Sequence, residues 1–419
     1  MALAGLMALA GGACSTSTGG SGPSASGGGL KTGPGVDAAT KTITLGVLTP
    51  LTGVASPIGI PLTDGQKSYF DWLDAHGGID GWKVNLTVED SKYDPQTQVQ
   101  DFNQIEPNIL FLAQSLGSPT TQAIESLAQS AGMLVGTAAQ DSAFVNQKIN
   151  AVIGTPYAVD VANAMQYVSQ HKPGAKLGII YQNDAYGADG LKGFTAGVNA
   201  YHLDRVGAAT YNVTDTAFTS QVLAMKNAGA TVVMVTALPT PAATIVGTAA
   251  AMGYTPQWIF QGPAWSEFLM SSTGKVGGTA TPVAPALLGV WVLGYEAQWG
   301  DPSVAGMSQF LAIQRQYFPT QVPDGYYMYG YALAVMEKDV LAKAIADKDL
   351  SRAGVLNAKL NLGTVDFGGL LPSADYTPNL GPADRETVVD QVSMLAPGYL
   401  QQIQPYFMSS AATTMTFAR

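Results

Sequence analysis

The sequence predicts an α/β protein made of two Rossmann-like lobes, each a parallel-type sheet covered by helices. Three observations support this. Strand-like and amphipathic helical segments alternate from residue 42 onward, and the alternation appears twice, at about 42–153 and 174–262. Connections of this length put helices on both faces of parallel strands. Finally, a chain of 419 residues is long for one core.

The elements follow in order. TITLGVL (42–48) reads as a strand, and LTDGQKSYFDWLDAHGG (62–78) as a helix with Tyr69, Phe70 and Leu73 on one face and Gly77-Gly78 as its stop. KVNLTVED (83–90) alternates as a strand with one covered face does. A helix follows Pro95, then the buried strand NILFLA (108–113), the helix SPTTQAIESLAQSAG (118–132) with capping residues at its start, and the strand MLVGT (133–137). The rhythm resumes with helix 156–171, strand KLGIIYQ (176–182), helix 185–201 and strand VGAATYN (206–212). Helix 218–229, strand TVVMVTA (231–237), helix 240–253 and strand QWIFQG (257–262) continue it. A late strand LLGVWVLG (287–294), helices 303–317 and 326–347, and a glycine-rich stretch LGTVDFGG (362–369) suggest that the chain crosses between lobes more than once.

The first residues do not share this rhythm. Leu3–Ala13 is apolar and rich in small residues, but shorter than the ~20 residues that span a bilayer. It has the size of a signal-peptide hydrophobic region and ends in Gly11, Gly12 and Ala13. The only cysteine, Cys14, comes next, followed by a Gly/Ser tract that cannot bury enough apolar surface to fold. Together these resemble a bacterial lipoprotein signal, with residues 1–13 removed, Cys14 lipidated and 14–41 a flexible tether outside the cytoplasmic membrane. Two features depart from that pattern: Gly11 stands where a larger aliphatic residue is usual, and no Lys or Arg precedes the apolar stretch. The expectation is that the true start lies upstream.

Composition narrows the functional classes. A net charge of −10 without any basic cluster argues against nucleic acid as a partner. One cysteine excludes an internal disulfide. His76, His171 and His202 share no zinc-ligand spacing, and there is no GxSxG elbow and no phosphate-binding GxxxxGK[ST] loop. No cofactor, metal or enzymatic activity is expected. Five loops follow a predicted strand and precede a helix, the place where open α/β sheets bind ligands: 52–59, 115–121, 136–141, 182–187 and 261–267.

The segment TPLTGVASPIG followed by DWLDAHGGIDGWKVNLTVEDSKYDP carries a family resemblance. Its Pro50–Gly53 turn, Gly77-Gly78-Ile79, Gly81, Lys83-Val84 and Asp90 resemble the type I periplasmic binding proteins of the leucine/isoleucine/valine class, which deliver solutes to ABC importers. SLGSPTTQAIESLAQSAGMLVGTAAQ, NDAYGADGLKGF and YGYALAVMEKDVLAKAI extend the likeness over residues 42 to about 395. The resemblance implies two lobes joined by three crossovers, placed near 154–157, 281–287 and 361–366. Lobe 1 would hold 42–154 plus 287–361, and lobe 2 157–281 plus 366–419. It further implies a monomer that closes on a small-molecule ligand and presents it to a membrane permease, with a ligand sensor on the same fold as the alternative and a secreted enzyme as a lesser one.

Carried over residue by residue, a carboxylate-binding hydroxyl turn falls on Ser118, Thr120 and Thr121, the following loop on Ala139 and Gln140, and a cleft aromatic on Tyr186. Ser118, Thr120 and Thr121 equally suit plain helix capping. Where amino-acid binders of the family place an acid for the ligand ammonium, this chain has Ala264, then Trp265, with Glu267 one turn on; Ile58 replaces an aromatic of the first loop. An ammonium buried without a partner is costly, so a small acid, an amide or an aromatic compound is as well suited as a standard amino acid.

Overall fold

The structure, a computed structural model, describes residues 29–376 and 384–417. The expected signal segment and Cys14 lie outside the described residues. The first sheet is built around β1 (Thr42–Thr49), with β2 (Lys83–Asp90) on one side and β3 (Leu112–Leu116) on the other, then β4 (Val135–Ala138) and a short strand Asn150–Ala151, all parallel. Helices α1 (Ser56–Ala75), α2 (Pro95–Ile105) and α3 (Ser118–Ser130) connect these strands. Helix α1 begins six residues before its expected start, because Pro57 sits in the first turn, where amides have no intrahelical acceptor, and Pro61 follows one turn later.

In the second lobe, α4 (Tyr157–His171) leads to β5 (Lys176–Gln182), α5 (Ala185–Ala200), β6 (Asp204–Tyr211), α6 (Thr219–Asn227), β7 (Val232–Thr236), α7 (Pro239–Ala251), β8 (Gln257–Phe260) and β9 (Trp291–Gly294). The sheet order is β6-β5-β7-β8-β9, all parallel, and two antiparallel strands, β10 (Thr387–Val392) and β11 (Leu400–Phe407), extend it beyond β9. The chain returns to the first lobe for α8 (Met307–Tyr317), α9 (Gly325–Ala346) and α10 (Arg352–Leu360).

Two of the expected crossovers are corrected by strand pairing. The strand expected at 287–294 in lobe 1 lies instead in the second sheet, since Ile259 pairs with Trp291 and Phe260 with Val292 of β9. The chain therefore crosses after Gly294, and Ala297 is already in the first core. The glycine-rich stretch stays in lobe 1 as well: Thr364–Val365 pairs with Ala374–Asp375, and Phe367, Leu370 and Leu371 are buried in that core. The third crossing thus lies between Tyr376 and β10, not at 361–366. Part of the expected tether is structured: Lys31–Thr32 pairs with Asp349–Leu350 and Val36–Asp37 with the start of β1.

Lobe 1 depends on a close crossing of α1 and α9. A Cβ on Gly65 would lie 2.0 Å from the Tyr327 carbonyl oxygen, and one on Gly330 would lie 1.9 Å from that of Leu62. Only hydrogen at both positions lets the two backbones meet. The approach also lets Gln66 Nε2 donate to Glu337 (2.8 Å) and to the Ala113 carbonyl (3.1 Å), tying both helices to β3. Alanine favours a helix over glycine by ~1 kcal/mol, yet the backbone overlap outweighs it. Gly330→Ala is expected to lower stability by about 2 kcal/mol, read as a reduced urea midpoint with an unchanged m-value.

Candidate ligand-binding cleft

Parallel strands deliver every helix-forming loop to the same sheet edge, and here the two carboxyl edges face each other. On the lobe 1 side, Asp90 at the end of β2 fixes the first loop by accepting from Leu51 N (2.8 Å), Thr52 N (3.2 Å) and Thr52 Oγ1 (2.6 Å). Gly117, with φ of 99°, turns β3 sharply into α3 and leaves Ser118 at the cleft. On the lobe 2 side, Tyr186, Leu238, Trp265 and Glu267 follow β5, β7 and β8.

Hydrogen bonds join the two sides. Tyr326 Oη, on the first turn of α9, donates to the carbonyls of Gly262 (2.9 Å) and Trp265 (3.1 Å). Asp189 of α5 accepts from Ser142 N at 2.9 Å and from the Ser142 hydroxyl, which also accepts from Lys192 Nζ at 2.9 Å. The cavity between the two sides is about 80 Å³. Its wall is aliphatic and aromatic, with six tyrosines (Tyr93, Tyr157, Tyr186, Tyr295, Tyr326, Tyr329) and Trp265 among the lining residues.

Six of the residues singled out from sequence line this cleft: Ile58, Ser118, Gln140, Tyr186, Trp265 and Glu267. Four do not. Thr120 turns back to donate to the Leu116 carbonyl and, at 3.0 Å, to that of Gly117, while Thr121 donates to the Ser115 carbonyl at 3.1 Å. Their hydroxyls are used up in holding the β3–α3 turn. Ala139 packs with Phe144 and Val152, and Ala264 lies in the second core. The Ser118 hydroxyl makes no cap bond, Trp265 Nε1 is buried without a hydrogen-bond partner, and the Glu267 carboxyl pairs with that of Asp324. Tyr186 packs edge-on against Tyr157 at 4.8 Å and donates to the Ala237 carbonyl at 3.3 Å.

Sequence reasoning missed Glu296 and Asp390, which also line the cleft. Glu296 follows β9 directly, and β9 was credited to the wrong sheet, so its end was not counted among the cleft loops. The lining contains three carboxyls and no Lys, Arg or His. Burial accordingly pushes Glu296 up to about 8 and Asp390 up to about 7. Glu267 lies well above the usual carboxyl range, first through burial and then through the charge of Asp324, its neighbour at the N-cap of α9. Among the described residues no group of three or more His, Cys, Asp or Glu could hold a metal ion, and no helix is long and apolar enough to cross a membrane.

These shifts make stability depend on pH with a defined sign. In the unfolded chain the carboxyls ionise near 4; in the folded, ligand-free protein Glu296 keeps its proton to about 8. The folded state binds more protons across that interval, so stability falls as pH rises from about 4.5 to 8 and levels off above. Carboxylates held below their ordinary value, such as Asp94 through the Thr97 amide, titrate under this window. The melting temperature of the ligand-free protein is expected to be several degrees higher at pH 5.5 than at pH 8, and Glu296→Gln to flatten the slope, read by calorimetry across the pH series.

Residues 42–394 match the family model described as periplasmic binding protein. The Leu/Ile/Val-binding protein homolog 3 of Brucella melitensis is 26% identical over 200 residues, covering 47% of this chain and 54% of that protein, so the match spans about half of the curated relative. A fatty acid ABC transporter substrate-binding protein from Thermomonospora curvata superposes with a TM-score of 0.85 at 29% identity, covering 93% of this chain and 97% of that one. A branched-chain amino acid ABC transporter protein from Thermus thermophilus, solved with bound valine, shares the fold at a TM-score of 0.75 and 15% identity, over 88% of this chain and 97% of that one. The site's position between facing strand edges, the paired α/β lobes and the match over most of the sequence agree: the chain belongs to the periplasmic binding protein family.

Proposed function

We propose that this protein is an extracytoplasmic solute-binding protein that captures a small, largely apolar organic solute and hands it to an ABC importer, held at the membrane by a lipid on Cys14. The observation that carries the reading is the cleft itself: an aromatic-walled space at the facing sheet edges, bridged by Tyr326. Such a site acts by binding. Closing the lobes excludes water, which strengthens each polar contact made to the solute, and the closed pair of lobes becomes the shape the permease recognises. The Thermomonospora curvata protein, similar over nearly the whole chain, supports delivery to an ABC importer.

The test is a thermal-shift screen of the chain against amino acids, small carboxylic acids, amines, amides and aromatic compounds, each at millimolar concentration. A solute present at ~100 times its Kd stabilises the folded state by about 2.7 kcal/mol, which a melting curve resolves. A saturable stabilisation by at least one class is expected, with Tyr326→Phe weakening it by removing the bond across the cleft. Silence across every class would refute the reading. For the anchor, Cys14→Ala is expected to move the expressed protein from the membrane pellet to the soluble fraction.

A further inference from the structure

We infer that the solute is an organic cation, an alkyl- or arylalkyl-ammonium, whose charged group sits at the hinge end of the cleft between Glu296 and Asp390. The inference rests on the solute-binding reading above and adds the chemical class of the solute.

The geometry is specific. Both carboxyls converge on Gly294: a Cβ there would lie 3.3 Å from Glu296 Oε2 and 3.7 Å from Asp390 Oδ2. The Glu296 carboxyl accepts from backbone amides alone, those of Tyr295, at 3.2 Å, and of Glu296 itself, which leaves lone pairs of both groups unused. Among the described residues, no Lys, Arg or His forms an ion pair with either side chain. Protein surrounds each of them, yet each keeps accessible surface, and that surface is the wall of the cleft.

A second, independent observation points to a ligand. Trp265 Nε1, on a residue 4% exposed, also lines the cleft and has no partner, whereas the Glu267 carboxyl pairs with that of Asp324. A buried N–H without an acceptor calls for an acceptor from the solute, such as an aromatic face. The rings of Tyr295, Tyr326 and Tyr329 line the same end, and aromatic faces attract ammonium groups. An anionic solute would enter a space holding three carboxyls and no positive side chain, so the fatty acid named for the Thermomonospora curvata relative does not suit this cleft in its ionised form.

Surroundings give the pH dependence its sign. The charged groups facing Glu296 are Asp390 from β10, Asp324 from the cap of α9 and Asp160 from α4, all acidic. The other titratable neighbours are the phenols of Tyr295, Tyr326, Tyr329 and Tyr406, which burial holds above their ordinary value. A bound ammonium therefore ionises carboxyls that are protonated in the ligand-free protein, and protons leave as it binds. A carboxylate solute would instead need protons taken up.

The test is titration calorimetry with matched probes: phenethylammonium and hexylammonium against phenylacetate and hexanoate, at pH 7 in two buffers of different ionisation enthalpy. At least one amine is expected to bind more than tenfold tighter than its carboxylate match and to release protons. Its affinity is expected to rise by up to about tenfold per pH unit between 6 and 8. Glu296→Gln and Asp390→Asn, each checked for an intact melting transition, are expected to weaken the amine at least tenfold and to lower the proton release. Binding by carboxylates or neutral solutes but not amines would overturn the cation site and leave the solute-binding reading intact. Amine binding unchanged in both variants would overturn the assignment to Glu296 and Asp390. If no solute of any class bound, the solute-binding reading would fall and this inference with it.

Discussion

Parallel pairing is the constraint on which the rest of this molecule depends. Because β1 to β4 run the same way, every connection into a helix leaves the first sheet at one edge, and β5 and β7 to β9 do the same in the second. With the two edges opposed, the connections after these eight strands reach one space, and no long insertion is needed to build a site. The antiparallel β10 and β11 break the rule usefully. They bring Asp390 and Leu400 to the same cleft from strands that enter the sheet after the third crossing.

Desolvation then decides what the cleft can hold. A carboxyl kept from water with no cation nearby retains its proton, as Glu296 and Asp390 do in the ligand-free protein. That arrangement stabilises nothing by itself. The hydroxyls of the β3–α3 turn show the opposite economy, since Thr120 and Thr121 are spent on neighbouring carbonyls and hold the turn rigid. Of the three polar residues expected to face a solute there, only Ser118 reaches the space.

Most of the fold was legible because its signals are local. Runs such as KLGIIYQ and TVVMVTA are strands on any reading, and stops such as Gly77-Gly78 need no partner to be recognised. What failed was the assignment of an element to a lobe. Nothing within LLGVWVLG records that Trp291 will pair with Ile259, since that register is set by two segments about thirty residues apart and by the second core they share. The error carried through to the site: with β9 in the wrong sheet, the connection that follows it and carries Glu296 is not among the five loops expected at the cleft. The near-site residues that were found, Ile58, Ser118, Gln140, Tyr186, Trp265 and Glu267, all lie on loops or helix starts whose strand was placed correctly.

The position of the two missed acids bears on how binding could move the lobes. Glu296 belongs to the second crossing segment itself, two residues after β9 ends, and Asp390 lies on the first strand after the third crossing. A cation bound between them touches the parts of the chain that must bend when the lobes separate. Tyr326 works from the other side: it stands at the start of α9 in lobe 1 and donates to carbonyls of lobe 2. A solute whose charge sits at the hinge and whose apolar body fills the tyrosine-lined space would thus favour the closed arrangement at both ends of the cleft. The carboxyls of Glu267, Glu296 and Asp390 all lie on or just after strands of the second sheet, so the differential affinity that such a shift requires comes from the contacts lobe 1 adds, those of Tyr326 and Tyr329.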